Sequence, residues 1–278
     1  MKPDTKIGLA LGSGAALGLA HIGVIKALRE AHIPIDMIAG TSMGALVGAC
    51  YAADREIEDV EELALSTNLR NLTHLLDPKF TLIRIGFLSG NRVENFLKPI
   101  IGDRDVGDCK IPYAAVAADI HSAKQVIIRE GSLLKAVRAS ISIPVVFVPV
   151  KHNGRFLVDG GTLNPVPADV VKAMGATFTI AVNVLNNPKE RIHLGLTGKK
   201  ESHGAPSSMN TLVQSFYFME YEMVRASILK ADIMIEPDVR NIEVYEFHRA
   251  QEAIAAGHKA AIAVIPEINR MLNSEETT

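Results

Sequence analysis

Three observations predict an α/β fold with a mainly parallel central sheet. Strand and helix patterns alternate along the chain. The strand candidates are near-continuous apolar runs, as burial on both faces demands. Of the 278 residues, 48% are apolar and only 5% aromatic, with no Trp, which describes an aliphatic core. The length suits one large domain, read as a three-layer α/β/α arrangement over residues 1–278.

The elements follow in order. Residues 6–11 form an apolar strand, and a glycine loop leads from it into a helix over 19–31 that carries the polar run Lys26-Ala27-Leu28-Arg29-Glu30. Residues 7–25 contain no Lys, Arg, Asp or Glu, yet five glycines interrupt them. The stretch therefore reads as strand, loop and helix rather than as a leader or a membrane span. Further strands are expected at 37–39, 113–119, 125–129, 156–158, 178–182 and 233–235. Helical spacing marks 43–53, 56–66, 91–101, 133–140, 167–174, 209–230 and 245–272, the last with a break near Gly257. Two stretches lack a period. Residues 67–89 are a candidate cap over a site, and 186–208, rich in Gly, Lys, His, Ser and Pro, are expected to form a mobile loop.

Composition excludes several classes. A net charge of −2 gives no electrostatic footprint for nucleic acid. The two cysteines, Cys50 and Cys109, read as small buried residues in a reducing, cytoplasmic compartment. None of the nine histidines falls in a His-Glu-x-x-His pattern, so no metal and no cofactor are expected. The pattern fixes no oligomeric state.

The most informative stretch is Met37-Ile38-Ala39-Gly40-Thr41-Ser42-Met43-Gly44. An apolar strand enters Gly-x-Ser-x-Gly, and a helix of small and apolar residues leaves it, which is the setting a nucleophile elbow needs. Gly40 and Gly44 would let the turn cross neighbouring backbone, and the helix N-terminus would offer N–H groups to a developing oxyanion. The bland alternative is a Gly-rich turn without chemistry. The flanking strand and helix favour the nucleophile.

Two further stretches join it. In Phe156-Leu157-Val158-Asp159-Gly160-Gly161 a carboxylate leaves the end of an apolar strand. Asp-Gly is a frequent turn pair, but carboxyl ends of strands in doubly wound sheets face the ligand crevice, where Asp159 could meet Ser42 and act as its base. The loop Gly12-Ser13-Gly14-Ala15-Ala16-Leu17-Gly18 could aim backbone N–H groups at an anion. A dinucleotide loop is the competing reading, with Asp36 about 20 residues on as a ribose-binding acid, but Asp36 precedes its strand rather than ending it. Only 41 residues precede Ser42, too few for the topology of the α/β-hydrolases.

Together these pieces resemble the patatin-like phospholipase family. The resemblance extends to Gly18-Leu19-Ala20-His21-Ile22-Gly23-Val24, to Ala139-Ser140-Ile141-Ser142-Ile143-Pro144 with Phe147 and Pro149, and to Asn164-Pro165-Val166-Pro167. It implies the patatin-like fold and a serine acyl hydrolase. Ser42 would be the nucleophile, Asp159 the base of a two-residue dyad, and the backbone of Ser13, Gly14 and Ala15 the oxyanion donors. The resemblance also implies a lipid ester substrate of the phospholipid or lysophospholipid class, with transient contact at a membrane surface, and gives no His a catalytic role.

One position departs from the family. Where its members usually carry Arg or Lys, this chain has Leu17, which removes a positive charge beside the oxyanion loop. A non-catalytic regulatory or adaptor member of the fold is therefore the main alternative, ahead of a nucleotide-binding protein. Other residues read as structural. His21 lies on a helix of small and apolar residues and is expected to be a satisfied core histidine. His152 precedes the turn pair Asn153-Gly154 and should be exposed. The cluster of Phe216, Tyr217, Phe218, Met219, Tyr221 and Met223 on one helix is expected to pack in the core.

Overall fold

A computed structural model describes residues 4–66, 90–144, 146–185, 208–228 and 230–274. The irregular stretches at 67–89 and 186–207 lie outside the described residues, and residue 208 opens a helix.

The chain begins with β1 (Ile7–Leu11), a 3-10 turn over Ala15–Leu19 and α1 (Ala20–Glu30). Next come β2 (Met37–Thr41), α2 (Met43–Ala52), α3 (Ile57–Leu65) and α4 (Gly90–Ile101). A hairpin of β3 (Tyr113–Asp119) and β4 (Lys124–Ile128) precedes α5 (Leu133–Ser140). A second hairpin, β5 (Val150–His152) and β6 (Arg155–Asp159), leads through a 3-10 turn over Gly160–Thr162 to α6 (Ala168–Ala173) and β7 (Phe178–Val182). The last elements are α7 (Ser208–Ile228), β8 (Ile233–Ile235) and α8 (Ala250–Ser274).

These strands make one eight-stranded sheet in the order β5-β6-β3-β2-β1-β7-β8, with β4 also paired to β3. β3, β2, β1, β7 and β8 run parallel, and every residue of β1, β2, β3 and β7 is buried. Two-sided burial explains why these strands show no alternation in sequence. The two faces of β1 meet different helices: Leu11 reaches Gly48 of α2, while Gly8 lies against Val171 of α6.

The structure departs from expectation at several points. β5 lacked a strand signal because it is a three-residue edge piece, half-exposed and partly polar. Asn153 and Gly154 both take positive φ in its turn, the backbone that joins strands in a two-residue hairpin, and His152 is half-exposed beside them. α8 is not broken at Gly257. A Cβ there would fall 1.9 Å from the carbonyl oxygen of Ala20, and one on Gly23 would fall 1.9 Å from that of Ile254, so this glycine pair lets α1 and α8 cross in contact. On α7 only part of the aromatic cluster enters the core: Tyr217 is buried, whereas Phe218 and Met219 are 49% and 63% exposed. Cys50 is buried, and burial pushes its thiol up to about 12, but Cys109 is only half-buried.

Candidate active site

The sheet register builds the site. β2 runs parallel to β3 and ends with Thr41 opposite Val116. β6 runs antiparallel to β3 and ends with Asp159 opposite Ala117, the next residue. The two strands therefore meet end to end along one side of β3, and the residues that leave them converge. Sequence reasoning expected Ser42 and Asp159 to share the carboxyl edge of parallel strands. They come together instead because β6 enters from the opposite direction.

Ser42 sits between β2 and α2 with φ 55° and ψ −120°, a conformation that bulky residues avoid and that nucleophile elbows hold under strain. Gly40 and Gly44 allow the sharp turn. A Cβ on Gly40 would stand 2.4 Å from the Gly44 carbonyl oxygen, and one on Gly44 would stand 2.2 Å from that of Leu11. The Ser42 N–H donates to Ser140 Oγ at 2.9 Å, and Ser140 Oγ–H donates to the Val116 carbonyl at 2.6 Å. The Asp159 N–H donates to the Ser142 carbonyl at 2.9 Å. One short segment at the end of α5 thus holds the backbone of both residues. Arg138, fully buried, braces that segment by donating to Ser142 Oγ at 2.5 Å and to the Val148 carbonyl at 3.3 Å.

Asp159 is 1% exposed and Ser42 is 6% exposed. Oδ1 of Asp159 accepts the Gly161 N–H at 2.8 Å. Oδ2 is buried without a short hydrogen bond among the described residues, and the Ser42 hydroxyl lies near enough to act on the carboxyl. Burial raises the Asp159 carboxyl to about 7, while the Ser42 hydroxyl and the Gly161 N–H pull it down. A carboxylate poised there can accept a hydroxyl proton near neutrality.

The loop after β1 is anchored on several sides. The Gly12 N–H donates to the Val182 carbonyl, the Ser13 N–H to that of Pro165 and the Ala16 N–H to that of Val244. His21 is fully buried and bonds the Gly12 carbonyl through Nε2 at 2.8 Å, and burial lowers its pKa to about 4. Neutral His21 therefore acts as a donor that stakes the loop. Of the three expected donors, Ser13 has spent its N–H on Pro165. The N–H groups of Gly14 and Ala15 have no partner among the described residues, and both residues take positive φ. Leu17 is 2% exposed and packs in the core. Asp36 binds the Ile7 N–H at 2.6 Å and lines a cavity of about 580 Å³ with Lys6, Tyr113 and Arg129 at the amino ends of the strands. It stands at the other end of the sheet from the glycine loop, so Asp36 does not serve that loop as a ribose-binding acid.

Sequence reasoning overlooked one acid. Glu220 of α7 is 1% exposed and accepts the Ser13 hydroxyl at 3.0 Å through Oε2. Its signal was present: Tyr217, Glu220 and Val224 lie at helical spacing on the buried face.

The model of the patatin-like phospholipase family matches residues 9–172. The chain belongs to the patatin-like phospholipase family. An uncharacterised NTE family protein of Mycobacterium tuberculosis is 42% identical over 179 residues, covering 64% of this chain and 49% of that protein. The neuropathy target esterase of Drosophila melanogaster is 37% identical over 183 residues, covering 64% of this chain and 13% of that protein. The match to this family member thus spans about half of the mycobacterial relative and much less of the insect one. Among solved structures, VipD from Legionella pneumophila shares the fold with a TM-score of 0.54 at 14% identity, covering 95% of this chain and 67% of that one.

Proposed function

We propose that this patatin-like chain is a serine acyl hydrolase that cleaves lipid esters of the phospholipid or lysophospholipid class through a Ser42–Asp159 dyad. The observation that carries the reading is a fully buried carboxyl that the sheet register brings beside a serine held in an elbow conformation. The family description and the esterase name of the Drosophila relative support a lipid ester as substrate.

In this reading Ser42 Oγ attacks the ester carbonyl carbon while Asp159 Oδ2 takes the hydroxyl proton. The carbonyl oxygen becomes an oxyanion and receives the N–H groups of Gly14 and Ala15, each contributing about 3 kcal/mol to the transition state. Collapse breaks the bond to the alcohol oxygen, which leaves with the proton from Asp159. Water then attacks the acyl-Ser42 ester, Asp159 accepts its proton, and the fatty acid departs as Ser42 Oγ takes that proton back. Phe218 and Met219, exposed on the helix that covers the site, supply apolar contact for a lipid surface.

Hydrolysis of p-nitrophenyl butyrate and of lysophosphatidylcholine tests the reading. Ser42→Ala and Asp159→Asn should each lose at least about a thousandfold in turnover while remaining folded. Parental activity in folded Ser42→Ala would refute it.

A further inference from the structure

Glu220 has no role in the reaction above, yet the site is built around it. It projects from α7 onto the 3-10 turn that follows Asp159. Its Oε2 receives the hydroxyl of Ser13, which precedes Gly14 and Ala15, whose N–H groups have no partner among the described residues. Its Oε1 is buried without a partner among the described residues. A methyl placed on Gly161 would fall 1.5 Å from this oxygen and 3.2 Å from Oδ1 of Asp159, so the two carboxyls flank one point.

We infer that Glu220 is a positioning residue of this site: its carboxyl ties the loop carrying the Gly14 and Ala15 N–H groups to α7, and it must stay uncharged for that loop to hold an oxyanion. The inference rests on the acyl hydrolase reading for its catalytic consequence, but the tie itself is a property of the fold.

The surroundings explain why the carboxyl stays neutral. Burial and the neighbouring Asp159 carboxyl raise its pKa well above the ordinary range, and the Ser13 hydrogen bond only partly opposes them. On its own helix Tyr217 is buried beside it and is pushed up by burial and by Glu220. On α6, Asp169 is engaged by Asn164 at 2.8 Å and by Lys230 at 3.5 Å, and Lys172 reaches toward Asp232. Two adjacent carboxyls in a low-dielectric site titrate as a pair. Asp159 must be the ionised member to serve as base, which leaves the proton on Glu220. A second negative charge would repel the developing oxyanion beside a loop whose Leu17 offers no compensating charge.

The test compares the parent with Glu220→Gln, which keeps an acceptor oxygen and cannot ionise, and with Glu220→Ala. Two readouts are needed: the rate of fluorophosphonate labelling of Ser42 from about pH 5 to about pH 10, and hydrogen exchange of residues 12–19, corrected for intrinsic rates. The parental labelling rate should rise through neutrality and fall at alkaline pH. Glu220→Gln should keep the rise and lose the fall. Glu220→Ala should label about tenfold more slowly or worse, and its 12–19 segment should exchange faster. Coinciding profiles for the parent and Glu220→Gln, or parental exchange in Glu220→Ala, would overturn the inference. Exchange does not depend on catalysis. If Ser42 stayed unlabelled throughout while Glu220→Ala loosened the loop, only the hydrolase reading would fall. If Glu220→Ala failed to fold, the Glu220→Gln pair of measurements would decide.

Discussion

Asp159 pairs with Ala117 one residue beyond the point where Thr41 pairs with Val116. That single step of register along β3 brings the end of an antiparallel strand against the end of a parallel one. Neither Ser42 nor Asp159 depends on a long loop for its place. Both follow directly from ladder positions and are held by Ser140 and Ser142. Sites mounted on strand ends in this way keep their geometry with little conformational freedom to lose.

The Ser140 hydroxyl is the link most open to a direct test. It accepts the Ser42 N–H and donates to the Val116 carbonyl, both buried. Ser140→Ala leaves two buried polar groups unpaired, at a cost of about 2 kcal/mol or more. We expect a lower melting temperature by calorimetry and about a tenfold loss in labelling of Ser42. Unchanged melting and labelling would show that the elbow is held by packing alone.

Asp159 should trade stability for activity as pH rises. Its carboxyl lies near 3.8 when exposed and near 7 in the fold. Between these values the unfolded chain has lost a proton that the native state still holds, so stability falls as pH rises through this window and levels off above it. The same ionisation produces the active base, so the acylation rate should rise across the upper part of that window. Asp159→Asn removes the buried charge. It should melt at a higher temperature than the parent at about pH 8, despite its loss of turnover. A lower melting temperature for the variant at that pH would contradict the cost assigned to the buried carboxylate.

Gly161 is constrained by Glu220 rather than by its own backbone. The turn at Gly161 has no positive φ, yet a methyl group there would collide with the Glu220 carboxyl. Gly161→Ala should therefore destabilise the parent by about 1–3 kcal/mol and much less in a Glu220→Ala background. A double-mutant cycle by denaturant unfolding measures the difference. Strict additivity would mean that the two side chains do not share this space.

Leu17 occupies the position where the family resemblance implies a cation. Its side chain is buried in the core, so a guanidinium placed there would lose its solvent. Leu17→Arg should lower stability by about 3 kcal/mol and should not raise turnover on p-nitrophenyl butyrate. A stable variant with a tenfold gain would show instead that the missing cation limits this protein.

Much of this was legible in the sequence because the signals were local. Gly40-Thr41-Ser42-Met43-Gly44 states its turn through the glycines that permit it, and β3, β7 and β8 kept their predicted bounds because buried apolar runs end sharply. What stayed hidden depended on distant partners. Glu220 reads as one acid among aromatic residues until Ser13 and Gly161 stand beside it. Gly257 reads as a helix breaker until Ala20 is seen to need the space. The direction of β6 cannot be read from Arg155–Asp159, because an apolar strand carries no mark of its orientation in the sheet. The exposure of Phe218 and Met219 likewise depends on which face of α7 meets the sheet turn.

The central claim is that Ser42 is a nucleophile whose base is Asp159. Fluorophosphonate labelling mapped by mass spectrometry tests it most directly. The account predicts one adduct on Ser42, forming faster as pH rises through about 7, absent in Ser42→Ala and slowed by at least about a thousandfold in Asp159→Asn. It predicts little change when any histidine other than His21, which anchors the glycine loop, is replaced by alanine in a variant that folds normally. An adduct elsewhere, or parental labelling of Ser42 in Asp159→Asn, would contradict it.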